Sequence, residues 1–372
     1  MDFFCGRPEL WRKAAQSSIG DGHGLPSTAT HSGKQGNAAR AKEAWPAWKG
    51  GVVYTVRPYS DEDFENLLDA WCEALPLEAL TPERFITSVL LDPNRERESL
   101  QLAVDGAGLV VGLVLCLILR RPLEKIGLME HRGFITAFGV RPEVREEGVR
   151  EMLLDAAEQF FRERGRREVA VSPYPTNYFV PGVDKERYAD TLAFLRGHGY
   201  EEFVEAIAMD ALIVQFEMGP ELREREAELA REGIVVEPVT PRRLTAFLEF
   251  MRRELGEWLD DARGQLARAV SGQAPRNSVF LARDGEVPIG YCAFDGEHFG
   301  PFGVAAGYQG RGVGTVLLAR TLLQMRMEGH HAAYVLWTGE RAANGVYRRL
   351  GFTISRRFAL LRKTLEGNGE DG

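Results

Sequence analysis

The stretch GYQGRGVG, residues 307–314, has glycine at four of its eight positions, and an apolar helical pattern, TVLLARTLLQM, follows it directly. The first backbone N–H groups of a helix lack partners within the helix, and with the helix dipole they attract anions. Glycines allow positive φ and let the backbone approach a phosphate closely. The stretch therefore predicts an anion site at a helix N-terminus, to which Arg311 adds a positive charge.

Two common nucleotide-binding patterns do not fit this loop. A P-loop ends in Gly-Lys-Ser/Thr, but here Val313 stands before Gly314 and Thr315. The dinucleotide fingerprint needs G-x-G-x-x-G, whereas Gly310, Gly312 and Gly314 alternate with other residues. The alternative to an anion site is a structural turn, which the glycines alone would favour.

The chain contains an internal duplication. The segment VRPEVREEGVREMLL at 140–154 aligns without a gap on VAAGYQGRGVGTVLL at 304–318, 164 residues later. In the same order, each half also has a strand and helix, an apolar hairpin, and a closing strand, helix and Gly-aromatic pair. We expect a disordered arm over 1–50, a first domain over 51–215, a charged helical linker over 216–233, a second domain over 234–366 and a flexible tail over 367–372.

Composition limits the class of protein. A chain of 372 residues with 44% hydrophobic and 27% charged residues suits a globular protein of two domains, and its net charge of -8 argues against a general nucleic-acid surface. The longest apolar run, 109–119, is too short to cross a bilayer and predicts a buried strand. The cysteines lack metal-ligand spacing, which favours free thiols in a reducing compartment. We expect a cytoplasmic protein, a monomer or homodimer, without metal, membrane or nucleic-acid partners.

Three motifs together indicate a family. Gln309, Gly312 and Gly314 follow the pattern Q/R-x-x-G-x-G/A; FGPFGV at 299–304 precedes them, and ANGVYRRLGF at 343–352 follows. With these motifs, residues 234–365 resemble the GNAT superfamily of acyl-CoA N-acyltransferases, and the first half resembles a diverged copy. The resemblance implies an α/β fold of two tandem domains, each a mixed, mostly antiparallel sheet flanked by helices.

The resemblance also implies a site for acetyl-CoA, the expected co-substrate. It assigns the diphosphate to the loop and the pantetheine arm to the preceding strand, where Gly300 and Pro301 suit a bulge that frees the backbone. The family's usual asparagine position is Glu340 here, and Asn344 lies elsewhere on the helix. The candidate cofactor-binding residues are Phe302, Gly303, Val304, Gln309, Gly310, Arg311, Gly312, Val313, Gly314 and Asn344.

Acyl transfer to an amine needs an acid for the departing thiolate and a route for the amine proton. By the resemblance, Tyr347 is the acid; the alternative is a packing aromatic. Glu297 and His298, at the start of the fourth strand, are base candidates, although alternation along a strand stops both from facing the amine. Asp295, or an ordered water, is an alternative.

Further acidic and aromatic residues are candidates for the acceptor cleft. Asp260 and Asp261 follow Trp258 in the first helical region of the second half, and they line the cleft or end a solvated helix. In the first half, the aromatic segment YPTNYFVPGVDKERY at 174–188 either forms a wall of the acceptor pocket or packs as a loop.

The first copy departs from the family pattern. Glu146 and Glu147 replace Gly310 and Arg311, Arg150 replaces Gly314, and Leu195 stands where the second copy has Tyr347. Two carboxylates beside a diphosphate are repulsive. We therefore expect one acetyl-CoA per chain, in the second half.

The sequence predicts an N-acetyltransferase that moves an acetyl group from acetyl-CoA to a primary amine of a small molecule in a ternary complex. An amino sugar, a polyamine, a drug-like amine and a peptide N-terminus remain open as acceptors. The alternatives are a mycothiol-synthase-like enzyme and a non-catalytic acyl-CoA sensor.

Overall fold

The computed structural model describes residues 53–145, 148–171 and 174–366. The arm predicted over 1–50, the tail predicted over 367–372, and Glu146 and Glu147 lie outside these described residues. None of the described helices combines the length and apolarity that crossing a bilayer requires.

The first half begins with a strand and helix, continues through a hairpin and a strand–helix–strand unit, and closes with a helix and a long strand. Its strands are β1 (Thr55–Pro58), β2 (Leu100–Val104), β3 (Val110–Leu117), β4 (Arg132–Val140), β5 (Glu168–Val171), β6 (Val183–Asp184) and β7 (Glu201–Leu212). Its helices are α1 (Phe64–Ala74), α2 (Pro82–Phe85), α3 (Val149–Glu163) and α4 (Ala189–Gly197).

The second half repeats this order. After the connecting helix α5 (Pro220–Arg231), its strands are β8 (Ile234–Pro238), β9 (Val279–Asp284), β10 (Val287–Asp295), β11 (His298–Val304), β12 (Ala332–Thr338) and β13 (Thr353–Thr364). Its helices are α6 (Leu244–Glu254), α7 (Leu259–Ser271), α8 (Val313–Met327) and α9 (Glu340–Ala342), which continues into a π-helical turn over Ala343–Tyr347.

Helices cover both faces of the sheet in each half. In β3, Leu113 and Leu115 pack in the cluster that contains α1, while Val114 and Cys116 pack in the cluster that contains α3. This explains the continuous apolar run, because a strand covered on both faces needs apolar side chains in both directions. In the second half, α8 packs on one face and α6 and α7 pack on the other.

The two halves exchange their last strands. β13 of the second half lies between β5 and β7, and β7 of the first half lies between β13 and β12. The described strands therefore form one sheet in the order β1-β2-β3-β4-β5-β13-β7-β12-β11-β10-β9-β8, with β6 paired to β13. The domain boundaries predicted from the repeat stay predictions, since the sheet itself is continuous across the halves.

Several local predictions are confirmed. The fold is α/β, with parallel pairing at β4–β5 and β11–β12 and antiparallel pairing elsewhere among the described strands. The hairpin predicted at Asp284 and Gly285 joins β9 to β10. Gly199 and Gly351, which follow the late helices, have φ of +84° and +88°, values that glycine adopts without strain.

Candidate active site

Helix α8 begins at the predicted glycine-rich loop. Its N-cap is Gly312 with φ of +80°, Gly310 has φ of +79°, and no described side chain caps the helix. The first N–H groups of α8 are therefore left for solvent or a ligand. The helix start lies where the sequence analysis expected it, and the binding of an anion there stays a prediction.

The neighbours of the loop leave little room for larger residues. A Cβ on Gly314 would lie 3.2 Å from Phe302 Cζ and 3.4 Å from Val304 Cγ2. A Cβ on Gly312 would lie 2.9 Å from Nε of Arg225. Glycine at these positions lets β11 and the connecting helix α5 approach the start of α8.

Arg225 on α5 is a basic group beside the loop that the sequence analysis missed. Its Nε donates to the carbonyl oxygen of Arg311 at 2.9 Å. The Arg311 guanidinium in turn pairs with Glu232 at 2.5 Å and lies 5.2 Å from the centre of the Tyr308 ring. A phosphate bound here would compete with Glu232 for Arg311. The sequence analysis missed Arg225 because no periodicity in the charged segment 220–233 indicates which arginine faces the loop.

Strand β11 diverges from β12 beside the loop. Among the described residues the two strands pair at one position, His298 with Tyr334. The predicted bulge is confirmed, since the register between β10 and β11 shifts across Gly300 and Pro301. Beyond this point the backbone of 302–304 is not paired to β12, although Gln309 Nε2 donates to the Val304 carbonyl at 3.1 Å.

Tyr347 lies at the opening between these strands. It is 4% exposed, and its ring centre is 6.2 Å from that of Phe302 and 5.7 Å from that of Phe299. Burial raises the pKa of Tyr347 well above its usual value of about 10, so the hydroxyl stays protonated at neutral pH.

The two base candidates have different surroundings. Glu297 Oε1 accepts from the backbone N–H of Ala332 at 3.1 Å, and so it fixes the start of β12. His298 begins β11, with its ring centre 5.2 Å from that of Tyr334. Burial lowers the pKa of His298, which favours the neutral imidazole.

Two other predicted residues also have partners. Asn344 is exposed and donates to Glu340 Oε2 at 2.7 Å. Asp260 accepts from the backbone N–H of Glu124 at 3.3 Å and from Arg263 at 3.0 Å. Both side chains are therefore held by their neighbours in this structure.

The first half keeps the glycine N-cap but not the tyrosine. Gly148, the N-cap of α3, has φ of +76°, which matches the left-handed conformation of Gly312. Leu195, four residues before Gly199, is buried beside a cavity of about 60 Å³. The cavity is lined by residues that include Trp71, Ile135, Phe138, Val171, Phe179 and Leu195.

Models of one acetyltransferase family match both halves of the chain. Residues 60–178 match the model described as Acetyltransferase (GNAT) family, and residues 275–354 match the one described as Acetyltransferase (GNAT) domain. The chain is a tandem GNAT protein. No protein of curated function matches the sequence of this tandem GNAT protein.

Solved structures share the fold of the tandem GNAT protein. A GCN5-related glucosamine N-acetyltransferase region of a fungal multi-domain GH3 β-N-acetylglucosaminidase has a TM-score of 0.71 at 18% identity, over 84% of this chain and 38% of that longer one. A GCN5-related N-acetyltransferase from Sphaerobacter thermophilus has a TM-score of 0.60 at 18% identity, over 84% and 95% of the two chains. A tandem GNAT protein from the clavulanic acid biosynthesis pathway has a TM-score of 0.56 at 16% identity, over 86% and 100%.

The family gives the general activity of the tandem GNAT protein. GNAT acetyltransferases transfer acyl groups from an acyl-CoA co-substrate, so the chain is an acyltransferase. Within the described ranges, no group of three or more His, Cys, Asp and Glu side chains is placed to hold a metal ion.

Proposed function

We propose that the tandem GNAT protein moves an acetyl group from acetyl-CoA to the primary amine of a small molecule, by direct transfer in a ternary complex. The observation that carries the proposal is the position of Tyr347, a buried hydroxyl between diverging strands, next to a helix N-terminus that no described side chain caps. These features support a proton donor, an open strand edge and an anion site within one region.

The start of α8 is the proposed diphosphate site. The N–H groups that follow Gly312 point out of the helix, and each charge-assisted hydrogen bond contributes about 1.5–3 kcal/mol. Arg225 and Arg311 add positive charge beside them. The unpaired β11 edge over 302–304 then suits the amide-containing arm of coenzyme A, because main-chain groups on an open edge pair with an extended chain.

Tyr347 is the proposed acid. As the amine nitrogen forms a bond to the thioester carbon, the carbon–sulfur bond breaks and the Tyr347 hydroxyl donates its proton to the departing sulfur. A raised pKa keeps this proton available at neutral pH. The proton that the amine loses goes to His298 or to an ordered water. His298 lies at the start of β11, and its lowered pKa favours the neutral imidazole. Glu297 is less suited because it holds the backbone of Ala332.

The test is release of coenzyme A from acetyl-CoA with a panel of amines: an arylalkylamine, an amino sugar, a polyamine and a short peptide. We expect turnover with at least one, with the acetylated amine confirmed by mass spectrometry. Tight acetyl-CoA binding without turnover on any amine would contradict the proposal and favour a non-catalytic acyl-CoA sensor.

A further inference from the structure

The loop between β3 and β4 of the first half has a fixed shape. The backbones of Leu123 and Gly127 exchange two hydrogen bonds, at 3.2 and 2.8 Å, which close a tight turn. Leu123, Ile126 and Met129 pack against the buried cluster that contains α1. The loop is therefore anchored in the first half, while its tip, residues 124–125, is exposed.

Glu124 at this tip binds two helices of the second half. Its Oε1 accepts from Nε of Arg252 at the end of α6, and its Oε2 pairs with Arg263 of α7 at 2.5 Å. Its backbone N–H donates to Asp260 of α7 at 3.3 Å, and Asp260 also accepts from Arg263 at 3.0 Å. One carboxylate of the first half therefore joins the end of α6 to the start of α7.

The turn between these helices, residues 255–258, lies between the loop and strand β11. On one side, a Cβ on Gly256 would lie 2.6 Å from Cγ of Lys125, so the lysine stem rests directly against the turn. On the other side, a Cβ on Gly303 would lie 2.9 Å from Cζ3 of Trp258 and 3.0 Å from Cδ2 of Leu255. These contacts on both sides fix the position of the turn against β11.

The turn covers one side of the opening between β11 and β12. The other side, toward α8, is filled by the buried rings of Phe299, Tyr347 and Phe352. Gly303 lies in the unpaired edge where we propose the arm of coenzyme A, and His298, which alternates with Phe299, points away from α8. An amine therefore has the side of His298 for its approach, with the α6–α7 turn at the edge of its path.

We infer that Glu124 is a positioning residue for the amine: it holds the α6–α7 turn against β11, and Trp258 on that turn forms the wall that the amine contacts. The inference rests on the proposed acetyl transfer, and it adds that a residue of the first half controls amine affinity in the second. A displaced wall weakens binding and reaction because both depend on the geometry of the bound amine. Acetyl-CoA affinity depends little on Glu124, since the proposed diphosphate site at α8 lies on the other side of the sheet from α6 and α7.

The test has a kinetic part and a structural part, both on the full chain. With the amine that turns over fastest, Glu124→Ala should raise KM for the amine by about 3- to 10-fold, and change kcat and KM for acetyl-CoA by less than about twofold. Hydrogen–deuterium exchange, followed by mass spectrometry, should be faster in the peptide over 252–260. Glu124→Asp, which keeps the charge, should restore part of both properties.

The matched control is Glu202→Ala. Glu202 also pairs with two basic side chains, Lys185 and Arg196, at 2.6 Å each, but both partners lie in the first half. This variant should leave the amine KM and the exchange of the turn unchanged. Thermal melts check that every variant stays folded.

A double variant tests whether Glu124 acts through the wall. Trp258→Ala should by itself raise the amine KM. Adding Glu124→Ala to it should then change the amine KM by less than about twofold, because the wall that Glu124 positions is already lost.

Three outcomes would overturn the inference: an unchanged amine KM in Glu124→Ala, unchanged exchange of the turn in that variant, or fully additive effects of Glu124→Ala and Trp258→Ala. The proposed acetyl transfer fails separately. If wild type acetylates an amine and Glu124→Ala does so with unchanged kcat and KM, the positioning role is wrong and acetyl transfer stands. If wild type acetylates no amine but Glu124→Ala speeds exchange of the turn, the hold of Glu124 on the turn stands and the activity is wrong.

Discussion

Arg356, in the last strand of the chain, donates a hydrogen bond at 2.7 Å to Glu78, which lies 278 residues earlier. The same guanidinium donates from Nε to Asp184 at 2.5 Å, and the Tyr188 hydroxyl donates to the other oxygen of Glu78 at 2.5 Å. The side chains of Glu78 and Asp184 are only 5% and 3% exposed. The exchanged strand β13 therefore carries the positive charge that two buried carboxylates of the first half require.

Replacing this arginine should destabilise the whole chain. Arg356→Met leaves two buried carboxylates without their shared cation, which costs about 3–5 kcal/mol of unfolding free energy. Urea unfolding measures the loss. The control is Arg253→Met, which breaks an exposed pair with Glu254 and should cost less than about 1 kcal/mol. Equal stability of Arg356→Met and wild type would show that this charge network does not stabilise the fold.

Gly312→Glu should abolish acetyl-CoA binding. The new side chain enters a site only 2.9 Å from Arg225, at φ of +80°, and places a negative charge where we propose the diphosphate. Gly148→Glu is the matched control, because Gly148 has φ of +76° at the same place in the first half. Both substitutions strain the backbone, so only a site in the second half explains a loss confined to Gly312→Glu. Calorimetric titration with acetyl-CoA measures the affinity of wild type and of both variants.

The stoichiometry should be close to one acetyl-CoA per chain. The first half keeps a glycine N-cap at Gly148 but has Leu195 in place of the tyrosine and two glutamates in its loop sequence. Repulsion by those carboxylates disfavours a diphosphate there. Titration of wild type that gives two equivalent sites would contradict this, as would binding that persists in Gly312→Glu.

Tyr347→Phe should lower kcat by roughly 100-fold or more, the lower range for loss of an acid catalyst. The ring and its contacts with Phe299 and Phe302 remain, so acetyl-CoA affinity should hardly change. Tyr200→Phe is the control, since it removes another buried hydroxyl, one that bonds Glu158 far from the proposed site. An unchanged rate in Tyr347→Phe, with chemistry rate-limiting, would remove this residue from the mechanism.

Asp261 on α7 gives a stability prediction of known sign. Desolvation, and then the charge of Asp260, raise the pKa of Asp261 to about 6. Ionisation therefore disfavours the folded state once pH exceeds the unfolded value near 3.8. Asp261→Asn should therefore raise the melting temperature slightly at pH 8 and leave it unchanged at pH 3. The effect is small because solvent reaches the carboxylate. A lower melting temperature at pH 8 would show that the charge is paired.

The sequence by itself determined the local parts of the site. Glycine spacing before an apolar helix predicted the turn at Gly310 and Gly312, and the Gly300-Pro301 pair predicted the bulge in β11. Alternation and run length predicted the hairpins and the buried strand β3. These features depend on backbone freedom and side-chain periodicity within a few residues, and neighbouring residues in the chain carry that information.

Only the tertiary structure decided which distant groups meet. The exchange of β7 and β13 and the approach of Arg225 to Gly312 join residues more than 80 positions apart. Each strand presents the same backbone donors and acceptors to any partner, so its periodicity does not specify its neighbour. Burial of side chains on both faces of the sheet, and the buried charges of Glu78, Asp184 and Arg356, select this pairing over the others.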